Sequence, residues 1–168
     1  MKITITKEER RNQLTCWRQD GTCETADLGP SLPHHDLAHF VVESRLNLQD
    51  GFFGRIARGY SVARLSEKET IQNSPPESLV AEVAARALQS LSSGACRTDQ
   101  LAELVNSELS RWRVPTIAIS PEETGQMLAE FQGLIDRYAA LQPGEMMHLE
   151  FHGESAANTR PEVLRQRN

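Results

Sequence analysis

The apolar residues of this chain repeat with a period of two at both ends and with a helical period between. That order constrains the fold more than any other feature. Ile3 and Ile5 alternate with polar neighbours, which predicts a strand. Gln13 to Arg18 and Thr22 to Ala26 flank Asp20-Gly21, a pair that predicts a hairpin turn. With those two residues as the loop, Arg18 lies opposite Cys23 and Cys16 opposite Thr25, so no disulfide is expected between the two cysteines. From Met146 to His152 the alternation returns, with Met147, Leu149 and Phe151 on one face and His148, Glu150 and His152 on the other. A half-buried strand of this kind is expected to join the N-terminal sheet antiparallel. The expected class is therefore α+β: a small antiparallel sheet, from the N-terminal strands and hairpin plus the C-terminal strand, packed against four or five helices.

The first helix is expected from His34 or His35 to Leu46, after a loop from Leu28 to Pro33. Leu37, Phe40 and Val41 cover one side, and Ala38, Val42 and Leu46 lie beside the histidines, so a buried helix is predicted. Phe52, Phe53, Ile56 and Tyr60 then follow helical spacing in a segment that also holds Gly51, Gly54 and Gly59. This predicts a short helix packed closely on the first and lining whatever cavity the histidines face. Leu65 to Asn73 reads as a polar connection. Ser74-Pro75-Pro76-Glu77 and Ser120-Pro121-Glu122-Glu123 each offer an N-cap, a proline in the first turn and a Glu at the third position. The helix after the first carries Leu79, Val83, Ala87 and Leu91. The helix after the second runs through Met127, Phe131, Leu134, Ile135 and Tyr138 to Leu141, a near-heptad stripe that suits a homodimer or a partner surface. Between them, Thr98 to Trp112 is expected to turn Leu101, Leu104, Val105, Leu109 and Trp112 inward. One domain over residues 1–152 is expected, followed by a polar, disordered tail over 153–168.

Composition excludes some partners. A net charge of −5 gives no general attraction to nucleic acid. No apolar run is long enough to span a bilayer, and the alternating start is not a secretory signal. Three cysteines at unrelated spacings fit free thiols in a reducing cytoplasm. A small-molecule partner stays open, beside a homodimer.

The chemistry is concentrated in residues 34–43. On a helix, His35, His39 and Glu43 stack at i, i+4 and i+8 on one face. Two imidazoles and a carboxylate so placed can grip one divalent ion, zinc first, for a hydrolase or lyase acting on a small molecule. Asp36 would then orient a ligand or water, and Glu43 is also a candidate acid–base group. Asp36 sits in the first turn, where its charge favours the helix dipole without any catalytic role. The same residues also allow a second account, in which the histidines are hydrogen-bonded core groups of a structural or protein-interaction domain. His148 and His152 read as part of a solvated sheet face.

His35-Asp36-Leu37-Ala38-His39 is an H-D-x-x-H motif. It resembles the H-E-x-x-H helix of the zinc proteases, but Asp36 replaces the general-base Glu and is one methylene shorter, so proteolysis does not carry over. It also resembles the H-D-x-x-H piece of the ubiquinone-biosynthesis proteins that carry a zinc-type signature. Where that family has a further Glu, this chain has Asp50 and Gly51. A wider resemblance is to uncharacterised small bacterial proteins that share H-H-D-L-x-H-x-x-V-E followed by G-F-F-G-x-I-A-x-G. The matching residues are His34 to Leu37, His39, Val42 and Glu43, then Gly51 to Gly54, Ile56, Ala57 and Gly59, together with the Asp20-Gly21 hairpin. That resemblance implies a bacterial source and no assigned activity.

Overall fold

The computed structural model describes residues 1–31 and 33–152; the expected tail over 153–168 lies outside them. Strands β1 (Lys2–Lys7), β2 (Asn12–Trp17), β3 (Cys23–Gly29) and β4 (Met146–Glu150) form one antiparallel sheet in the order β3-β2-β1-β4. The period of two has the expected consequence. Ile3, Ile5, Leu14, Cys16, Met147 and Phe151 are buried, while Trp17 and Met146 are exposed.

The hairpin departs from expectation by one residue. Trp17 pairs with Cys23 and Cys16 with Glu24, rather than Arg18 with Cys23. The loop has three residues, Gln19 to Gly21, closed by the Arg18 amide donating to the Thr22 carbonyl at 2.9 Å. Gly21 sits at φ +84°, the left-handed geometry that a three-residue hairpin loop requires at its last position. A slip of one residue exchanges the faces of a strand. Cys16 is accordingly buried and Cys23 exposed, and both are free thiols.

Seven helices follow the hairpin among the described residues: α1 (His34–Arg45), α2 (Phe52–Ala57), α3 (Val62–Leu65), α4 (Lys68–Gln72), α5 (Pro76–Ser92), α6 (Leu101–Arg111) and α7 (Pro121–Ala140). The connection after Tyr60 thus contains two short helices. Leu104 and Trp112 are exposed rather than inward. The α7 stripe is used within the chain itself: Met127, Phe131, Leu134 and Tyr138 are buried in the common core. None of the described helices is long and apolar enough to cross a membrane.

The two capping motifs behave differently. Ser120 and Glu123 make both reciprocal bonds of a capping box. The Ser74 hydroxyl instead donates back to the Thr70 carbonyl at 2.8 Å, and Glu77 accepts the Asp50 amide at 2.9 Å. The start of α5 is thereby tied to the turn between α1 and α2. Further along, His35 meets Gln89 and His39 meets Glu82, so α1 and α5 run antiparallel. Buried Ala81, Ala84 and Ala85 on α5 leave the room for α1 to pack against it.

Candidate metal centre

Helical spacing on α1 does what it promised for the two histidines. The His35 and His39 Nε2 atoms are 3.2 Å apart, with ring centroids 4.6 Å apart and the planes nearly perpendicular. The third member comes from α5. Glu82 Oε2 lies 3.2 Å from His39 Nε2 and 3.4 Å from His35 Nε2. These three residues form a group able to hold a metal ion.

Each imidazole is oriented from behind. The Gln89 side-chain oxygen lies 3.1 Å from His35 Nδ1, and Glu43 Oε1 lies 2.9 Å from His39 Nδ1. Each acceptor places the ring proton on Nδ1, so in the neutral rings both Nε2 atoms present lone pairs. Three acceptor atoms then face one point. A tetrahedron with metal–ligand bonds of about 2.0–2.1 Å has edges of about 3.3 Å, which is the separation found.

Glu43 is on the motif face, but its carboxylate is turned away from Glu82. It is fully buried. Oε1 accepts from His39 and from the Phe52 amide at 2.8 Å; Oε2 accepts from the Phe53 and Gly54 amides at 2.9 and 3.1 Å. The α2 segment packs on α1 as expected, with the Phe52 ring 6.0 Å from that of His39. Asp36 is partly buried in the first turn of α1. His34 is exposed beside Phe131. His148 is bonded to Thr4 on the sheet and takes no part in the group.

Charge shapes the site. Burial opposes a proton on His39, yet the Glu43 and Glu82 carboxylates outweigh it and hold its pKa at about 9. Glu82 also lifts His35, and the two histidines hold the Glu82 carboxyl well below the usual carboxylate range. Burial pushes the Asp36 carboxyl up. Half of the His35 side chain and 40% of the Glu82 side chain face solvent, against 8% for His39. The group therefore opens outward on one side.

Glu82 carries no signal in the sequence that separates it from the rest of the 23 acidic residues. Its only mark is Gln89, seven residues later on the same helix face. No family model matches the chain, and neither a curated protein nor a solved structure matches it.

Proposed function

We propose that the protein is a metal-dependent enzyme, with His35, His39 and Glu82 holding one divalent ion, zinc first. The observation that carries this reading is the convergence of two imidazole nitrogens and one carboxylate oxygen at tetrahedral edge distances. Structural zinc sites are closed by four protein ligands, whereas catalytic ones keep a position for water or substrate. Three donors with a solvent-facing side fit the second kind. Bound there, the ion would supply Lewis acidity and lower the pKa of a water, chemistry that suits hydrolysis of a small molecule or a lyase step. Asp36, beside the histidines and with its carboxyl held up by burial, is the group to orient that water. Arg86 Nε is 3.5 Å from the other Glu82 oxygen; the groove of about 290 Å³ that Arg86 lines with Val83, Ala87, Leu104 and Glu108 includes none of the three ligands.

A second reading rests on a specific observation. No buried side-chain nitrogen or oxygen among the described residues lacks a hydrogen-bond partner. A charged His39 donating to both Glu43 and Glu82 closes the network without an ion, as in a structural or interaction domain. Elemental analysis of the purified protein, followed by zinc titration of wild type, His39→Ala and Glu82→Gln, separates the two. The enzyme reading expects one ion per chain, lost in both variants. No measurable zinc binding by a folded wild type leaves the structural reading standing.

A further inference from the structure

Glu43 is the most heavily bonded side chain at the centre, and none of its bonds reaches the side that faces Glu82. Its two oxygens take four N–H groups: one imidazole and three successive backbone amides, Phe52, Phe53 and Gly54. Oε1 is shared between the ring and the turn. The approach is close because residue 51 has no side chain. A Cβ there would lie 2.2 Å from the Glu43 carboxyl carbon.

We infer that Glu43 is a positioning residue that couples ion binding at His39 to the docking of the Gly51–Gly54 turn, so that each strengthens the other. The inference rests on the metal reading above. A carboxylate accepting the Nδ1 proton fixes the ring orientation and keeps the Nε2 lone pair available. An ion at Nε2 ties the His39 ring to His35 and Glu82 through one centre and so fixes where its Nδ1 hydrogen points. The bond to Glu43 tightens, and with it the carboxylate that holds the three amides. Linkage makes the effect mutual: whatever the ion does for the turn, the turn does for the ion.

The test uses the full chain, zinc alone as the probe, and two readouts. Hydrogen exchange at the Phe53 and Gly54 amides, followed by NMR with and without zinc, should slow severalfold when zinc is added to wild type. Calorimetric titration of Glu43→Gln should show zinc affinity reduced roughly 10–100-fold, the range for loss of an outer-shell partner, because one end of the Gln amide is an NH2 that must face either His39 and Phe52 or the Phe53 and Gly54 amides, all of them donors. Glu82→Gln, which removes a ligand, marks complete loss. Gly51→Ala keeps the carboxylate but crowds it, and should weaken zinc binding less than Glu43→Gln does. Wild-type zinc binding with unchanged exchange at Phe53 and Gly54 overturns the inference and leaves the metal reading intact; so does a folded Glu43→Gln that binds zinc within twofold of wild type. A wild type that binds no zinc removes both. Should Glu43→Gln fail to fold, the exchange measurement on wild type needs no variant.

Discussion

The two sides of the His39 ring are each met by a glutamate, and the two glutamates live in different environments. On the inner side, Glu43 is fully buried and surrounded by N–H donors. On the outer side, Glu82 is 40% exposed and faces imidazole nitrogens. A carboxylate whose lone pairs are filled by backbone amides is part of the architecture. A carboxylate that meets imidazole nitrogens able to give up a proton, with water within reach, has room for a cation. Residue type alone does not separate the two roles; burial and the identity of the neighbours do.

Removing the inner carboxylate should have the largest effect. Glu43→Ala leaves buried N–H donors and an imidazole without a partner, and should cost about 3–5 kcal/mol by urea unfolding. A variant as stable as wild type would erase the distinction between the two sides.

Next comes pH, measured in chelator so that no ion contributes. His39 is raised from 6.5 to about 9, so its stabilisation is complete below about 6.5 and is lost as pH climbs through 9. Glu82 is shifted the other way. Its smaller, solvent-screened contribution is present above its ordinary value of 4.5 and is lost as pH falls below it. Stability should therefore peak between about pH 5 and 6.5 and decline toward pH 9 by on the order of 2 kcal/mol. A flat profile from pH 6 to 9 would show that the carboxylates do not hold a proton on the ring. Gly51→Ala presses on the inner carboxylate without removing it and should cost about 1–3 kcal/mol by thermal unfolding. Glu82→Gln should be nearly silent in chelator, at about 0–1 kcal/mol, and yet lose the stabilisation that zinc gives wild type. A large loss of stability in chelator would place Glu82 with Glu43 as architecture.

Much of this was legible before the fold was known. The sheet follows from alternation at Ile3, Ile5, Met147 and Phe151, because a period of two leaves only one face to bury. The stacking of His35, His39 and Glu43 follows from helical geometry alone. Three other features depend on contacts that no local pattern records. The hairpin register turned on whether Gly21 ends a three-residue loop, a choice that Asp20-Gly21 leaves open. Ser74 carries the same motif as Ser120, but its hydroxyl is taken by the Thr70 carbonyl in α4, and Glu77 by the Asp50 amide. Glu82 became visible only when α1 and α5 were seen to run antiparallel, bringing it to a histidine 43 positions away in the chain.

That separation has a consequence for the protein's lifetime. In an unfolded chain His35 and His39 remain neighbours, but Glu82 is far from both, so the proposed three-ligand centre exists only in the native state. An ion that binds native chains alone stabilises them by mass action, by about 2.7 kcal/mol at a hundredfold excess over its dissociation constant. Metal supply would then set the fraction of chains open to proteases at any moment, and cellular abundance would follow zinc even where synthesis does not change.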